Sequence, residues 1–244
     1  RGPPLLQPYY DIGKLFRKWS VYSTTTTWIF QAAPVVSLAA VLVSSVLIPM
    51  GGLKAPVQFW GDVILFAYLY GLARFFIVMA ALDTGSSFEG MGASRDAAFS
   101  CLAEVVLFLD FVILAILSKR FVLSDMIEGH AAFSWPLWGP ALLLAGASYF
   151  LVLLTENARI PVDDPATHLE LTMIHEVMVL DHSGWDLAYI FYGGAVKLFV
   201  LGSVLVNILV PSRGLPEALQ TVLFWGGMIA LALLIGTVES CMAR

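Results

Sequence analysis

Charge is scarce in this chain. Lys and Arg number 13 and Asp and Glu 18 among 244 residues, so charged side chains make up 13% of the total, about half the share of a soluble domain. No basic run or patch stands out within the formal net charge of -5, which argues against nucleic acid and against a polybasic clamp on lipid headgroups. Cysteine is scarcer still. Cys101 and Cys241 both fall in apolar stretches, whereas iron–sulfur clusters and structural zinc need about four ligands at workable spacing. The chain is therefore expected to carry no metal, no redox centre and no cofactor of its own. An initiator Met and a signal-peptide pattern are missing at Arg1, and the sequence stops at Arg244 soon after an apolar run. Both ends look cut, and further spans are expected beyond them.

What is present is hydrocarbon. Hydrophobic residues are 59% of the chain and the mean hydropathy is +0.84, the composition of a polytopic membrane protein. Six apolar stretches, near residues 28–50, 57–82, 97–118, 135–155, 185–210 and 216–238, each reach the length of about 20 residues that crosses a bilayer as a helix. They are continuously apolar, where a membrane barrel would alternate. The predicted fold is all-α, a polytopic transmembrane bundle of six spans forming a single membrane domain over 1–244. Turn residues separate the spans: Pro49, Gly51, Gly52 and Pro56; Gly85, Gly90 and Gly92; Pro211, Gly214 and Pro216. The opening stretch 5–19 is too short and too charged to span. It mixes Tyr9, Tyr10, Phe16 and Trp19 with Lys14, Arg17 and Lys18, the pattern of an amphipathic helix lying in the interface.

Basic residues set the expected orientation. A cytoplasmic start places Arg1, Lys14, Arg17, Lys18, Arg95, Arg159 and Arg244 inside, against Lys54, Lys119, Arg120 and Arg213 outside. Loops at 83–96 and 158–184 then share the cytoplasmic side and can build one site. The second is dense in carboxylates and histidines, ENARIPVDDPATHLELTMIHEVMVLDHSG over 156–184. Asp164 followed by Pro165 suits a helix start, and Gly184 a stop. Between them His168, Thr172 and His175 share one helical face, with Glu170 and Asp181 on roughly the opposite one. His175 and Glu176 are followed by a His at 182, not at 179, so the zinc metalloprotease spacing is absent.

Charges in or near the spans are Asp62, Arg74, Glu104, Asp110, Glu156, Lys197 and Glu239. Such groups cost several kcal/mol in hydrocarbon unless paired, hydrated or in use. Asp62, Lys197 and Glu239 are candidates either for function or for pairing that holds the bundle together. Glu104 and Glu156 sit where spans meet the two cytoplasmic loops, with Arg95 and Arg159 expected to tune them. Burial raises a carboxylate's pKa and a nearby cation lowers it, so a shift in that balance loads or releases a proton. His168 and His175 are secondary candidates for proton handling, since a histidine titrates near neutrality.

The segment ENARIPVDDPATHLELTMIHE resembles the loop of the H-type membrane subunit of respiratory complex I. RIPVDDPATHLELTMIHEVMVLDHSG more closely resembles the homologous subunit of membrane-bound nickel-iron hydrogenases, including formate hydrogenlyase subunit four and the hydrogenase-four type. RGPPLLQPYYDIGKLFRK and GSSFEGMGASRDAAFSCLAEV are similar to two further family regions, so the likeness runs over essentially the whole chain. The resemblance implies about eight spans in an intact member and a subunit of the cytoplasmic (inner) membrane of a prokaryote. It also implies anchoring and proton coupling beside soluble hydrogenase large and small subunits, which carry nickel-iron and iron–sulfur centres, and beside antiporter-like membrane subunits. By position, Glu104, Glu156, Asp163 and Glu170 match recurring family carboxylates and Arg159 the loop arginine. Ala166, Thr167 and His168 stand where the quinone branch has further acids, and Asp164 replaces an apolar residue, which follows the hydrogenase pattern. The alternatives are an H-type subunit forming part of a quinone cavity, and a passive membrane anchor.

Overall fold

The computed structural model describes residues 4, 6–129, 135–163, 173–210 and 215–242. Its described residues form nine helices: α1 (Gln7–Leu15), α2 (Trp28–Val46), α3 (Asp62–Asp83), α4 (Ser87–Ser118), α5 (Leu123–Gly129), α6 (Trp135–Glu156), α7 (His175–Met178), α8 (Gly184–Leu209) and α9 (Glu217–Met242). Six of them, α2, α3, α4, α6, α8 and α9, are long and apolar enough to cross a membrane. The chain is a multi-pass helical membrane protein. Helices suit this solvent because each backbone amide is satisfied within its own segment.

Three expectations are corrected. The stretch 83–96 is not a loop: α4 starts at Ser87 and runs 32 residues, so Arg95 and Asp96 ride on a helix that continues into the apolar span. Strong helix formers such as Glu89, Met91 and Ala93 outweigh the glycines between them. The expected helix ending at Gly184 is also different. Among the described residues of that segment only His175–Met178 is helical, while Gly184, with φ +55°, opens α8. A Cβ there would lie 2.6 Å from the Trp19 and Ser20 backbone, so the glycine serves a close chain approach. The expected face of His168, Thr172 and His175 reduces to His175, because His168 and Thr172 lie outside the described residues, as does Glu170. The first helix covers Gln7–Leu15, shorter than 5–19. It buries no residue and exposes Tyr9 and Tyr10.

Packing is built around α8. The larger core cluster joins Phe66, Tyr70, Phe111, Leu114, Tyr149, Leu153, Leu201 and Leu205 from α3, α4, α6 and α8. A smaller one, with Phe30, Ala80, Ala93, Ile174, Met178 and Ile190, joins α2, α3, α4 and α8 where α7 packs on α4 and α3. Thr27 caps α2 by accepting from the Ile29 amide at 3.3 Å, and its own amide donates to Asp83 at 2.6 Å, tying the start of α2 to the end of α3. The Ser20 hydroxyl donates to the Ser183 carbonyl at 3.0 Å, the Val21 amide donates to the Ser183 hydroxyl at 3.0 Å and Trp19 stacks on Trp185, which fastens the stretch after α1 to the head of α8.

Helices in lipid gain little from burying apolar surface and rely on close packing over small residues. At the α8/α9 contact, a Cβ on Gly227 would meet Val206 Cγ1 at 2.6 Å, and one on Gly202 would meet Leu231 at 3.0 Å. Gly227→Val is expected to cost about 1–3 kcal/mol through overpacking and to loosen α9. Faster protease cleavage near residue 215 in membranes would report it, and unchanged cleavage would refute the contact.

Candidate functional site

Arg74 lies halfway along α3, inside an apolar span, and its guanidinium fans out to three carboxylates. One Nη donates to Glu104 Oε1 at 2.8 Å, the other donates to Glu156 Oε1, and Nε faces Asp96 Oδ2 at 4.0 Å. Glu156, the last residue of α6, is gripped from its other side by the Lys197 ammonium of α8, 2.7 Å from Oε2. Lys197 also stands 5.6 Å over the Tyr70 ring, a position that favours a cation. The Glu156 side chain is only 2% exposed. Four helices thus converge on one ion network, α3 giving Arg74, α4 Asp96 and Glu104, α6 Glu156 and α8 Lys197. A planar fork of five donors suits Arg to this shared role.

The network forms the wall of a cavity of 740 Å³ lined by Arg74, Asp96, Glu156, Arg159, Asp163, His175, Lys197 and Glu239 among others. Asp163 shapes its rim, accepting the amides of Ile174 at 2.9 Å and His175 at 3.0 Å. Its carboxylate therefore closes the chain across 163–174 and aims α7 at the bundle. Glu89 helps from α4 by accepting the Asp181 amide at 3.2 Å. There is no room for a side chain at Gly92, where a Cβ would lie 3.0 Å from Met178 and 3.1 Å from the Ile174 carbonyl. Burial pushes the His175 imidazole below its ordinary range, against an upward pull from Asp96. It faces the cavity as a neutral ring near pH 7.

Of the residues singled out in the sequence, the structure brings Glu104, Glu156, Asp163, His175, Arg159, Lys197 and Glu239 to or beside this cavity. Asp62 is elsewhere. It lies twelve residues before Arg74, about 18 Å along α3, fully buried, and accepts the Leu123 amide at 2.7 Å, which holds the start of α5. The expected pairing is corrected as well. Glu104 and Glu156 are bound by Arg74, and Glu156 also by Lys197, whereas Arg159 bonds Glu239 at 3.0 Å across to α9. Arg95 belongs to the helical turn preceding Ala97 and is one residue, or about 100°, around α4 from Asp96. Sequence reasoning leaves Arg74 without a role and does not single out Asp96. A lone arginine amid LFAYLYGLARFFIVMAALD is the available signal for the first; Asp96 has none, since nothing in its loop-like surroundings marks it as part of a long helix.

A sequence profile of the NADH dehydrogenase family matches residues 1–244. The chain belongs to this family. Hydrogenase-4 component C of Escherichia coli is 34% identical over 86% of the chain, and formate hydrogenlyase subunit 4 of the same organism is 30% identical over 98%. The chain spans 65% of the length of the former and 75% of the latter. The H-type subunit of NADH-quinone oxidoreductase from Anaplasma phagocytophilum is 30% identical over 83% of the chain and 62% of its own length. Among solved structures, a chain of the membrane-bound sulfane sulfur reductase, an archaeal respiratory membrane complex, matches all of this chain and 79% of its own with a TM-score of 0.81. At 22% identity that match speaks for the fold. For this NADH dehydrogenase family member, the cavity and its ion network are thus set within a fold found in a respiratory membrane complex.

Proposed function

We propose that this chain is the membrane anchoring and proton-coupling subunit of a multisubunit nickel-iron hydrogenase complex of the formate hydrogenlyase type. The redox centres belong to soluble large and small subunits, and antiporter-like subunits lie beside it in the inner membrane of a prokaryote. The start of the chain and the 158–184 segment face the cytoplasm, with the first helix in the interface. The observation that carries the reading is the Arg74 network: two cations and three carboxylates with one acid, Glu156, almost wholly enclosed. An acid held between two cations is an anion, and withdrawing one cation in a medium of low dielectric favours its neutral form. The segment clamped by Asp163 borders the same cavity. A rearrangement there, driven by the soluble arm, would move His175 and the cations against Glu156 and so take up or release a proton. Glu170 and His168 belong to the same proposed segment, and Glu239 with Arg159 to its outer rim.

In the intact complex, Glu104→Gln or Glu156→Gln is expected to leave assembly and hydrogenase chemistry with artificial dyes largely intact. Proton translocation or physiological turnover should drop about tenfold or more. Wild-type translocation in both variants would reduce these acids to structural pairs and leave a passive anchor. A quinone site is a second reading, favoured by the size of the cavity, which matches that of small-molecule pockets. Binding of a radiolabelled short-chain quinone to the wild-type complex, lost in Glu156→Gln, would support it.

A further inference from the structure

Glu104 does not line the cavity. It binds the Nη of Arg74 that Glu156 does not use, and whereas Glu156 is enclosed, the Glu104 side chain is 42% exposed. It lies seven residues beyond Ala97, about 10 Å along α4 at 1.5 Å per residue, within the apolar part of the span. Its neighbours on the α3/α4 flank are exposed and apolar: Phe108, one turn on along α4, Tyr68, which meets Phe108 edge to face, and Phe75, one turn on from Gly71 along α3. Space for the carboxylate comes from Gly71, where a Cβ would lie 3.3 Å from Glu104 Oε1. Fatty acyl chains offer no donor to an ionised carboxylate, and its exposure to them would cost several kcal/mol.

Charge balance points to what covers it. Through Arg74 the network joins two cations, Arg74 and Lys197, to three acids, Asp96, Glu104 and Glu156, a formal excess of one negative charge. Oε1 of Glu104 accepts from Arg74, and the partly exposed carboxylate has no second hydrogen-bond partner among the described residues. We propose that the α3/α4 flank around Glu104 docks a transmembrane helix of a neighbouring subunit that brings a lysine or arginine to this carboxylate. The docked cation completes the charge of the network, and Arg74 then links the neighbour's helix to Glu156 in the cavity through a single guanidinium. This rests on the chain working in a multisubunit complex, but not on whether ions move.

The test uses the whole complex in its native membrane with a benzophenone amino acid at Phe75 or Phe108. Irradiation is expected to join the chain to another membrane subunit at an apolar segment containing a lysine or arginine. Glu104→Lys should cut that product about tenfold or more through like-charge repulsion, and changing the partner's basic residue to Glu should restore it. Lipid adducts alone, a product with a second copy of this chain, a partner helix without a basic residue, or a yield indifferent to Glu104→Lys would each overturn the proposal. Loss of translocation in Glu104→Gln with the cross-link retained would leave both readings standing, whereas normal translocation with the cross-link retained would remove the coupling reading alone.

Discussion

Arg74→Gln is expected to lower the amount of folded chain in the membrane far more than any single loss among its acidic partners. Removing the guanidinium leaves Asp96, Glu104 and Glu156 with Lys197 as the cation of the network. Breaking a buried pair by deleting one partner costs about 3–5 kcal/mol, because the remaining charge stays desolvated. At about 1.4 kcal/mol per tenfold, that is two or more powers of ten in the folded ratio. Glu156→Gln is gentler. Arg74 keeps Glu104 at 2.8 Å, the amide oxygen can still accept from a cation, and Lys197 retains the Tyr70 ring. The double variant Arg74→Gln/Glu156→Gln should recover part of the loss, since it removes a cation and an anion together. Immunodetection of membrane-inserted chain and the melting temperature of the purified complex measure both effects. Equal abundance and melting for wild type and Arg74→Gln would show that water, not Arg74, satisfies these acids.

His182 offers the second large effect, through pH. Its ring lies flat against Phe30, with centroids 4.0 Å apart and planes 9° from parallel, and it is 3% exposed. Neither ring nitrogen has a hydrogen-bond partner among the described residues. Burial pushes the imidazole down to about 4 from its ordinary value of 6.5. An unfolded chain therefore binds a proton that the folded chain refuses between those two values. Stability is complete above pH 6.5 and falls as the pH drops towards 4, by about 3 kcal/mol from a difference of that size. His182→Phe keeps the stack and removes the titration, so its melting temperature should decline less between pH 7 and pH 4.5. Parallel pH profiles for the two proteins would mean that the ring is hydrated or finds a partner on protonation. Carboxylates also titrate in this range, which is why the comparison with His182→Phe, and not the slope itself, carries the inference.

His182 and Phe30 anchor the covering segment through packing, whereas Asp163 anchors its other end by accepting two amides. Between these anchors Met173, His175, Glu176 and Met178 line the cavity, which suits the coupling role proposed for the segment.

Number and approximate placement of the spans were legible in the sequence alone. Hydropathy adds up locally, and a bilayer core of about 30 Å demands about 20 apolar residues wherever the chain crosses it. All six expected spans correspond to observed helices, and the 156–184 motif pointed to the family by itself. Boundaries were less legible: α4 extends ten residues ahead of its apolar run because helical hydrogen bonding does not stop where hydrophobicity does. Ion pairing was not legible at all. Order along the chain assigns Glu104 and Glu156 to their neighbours Arg95 and Arg159, yet Arg74 binds both, from 30 and 82 residues away, and Lys197 adds a second cation to Glu156. Only the crossing of α3, α4, α6 and α8 decides that match, because a charge in a low-dielectric interior pairs with whatever opposite charge the packed helices bring within reach, and sequence distance carries no weight in that choice.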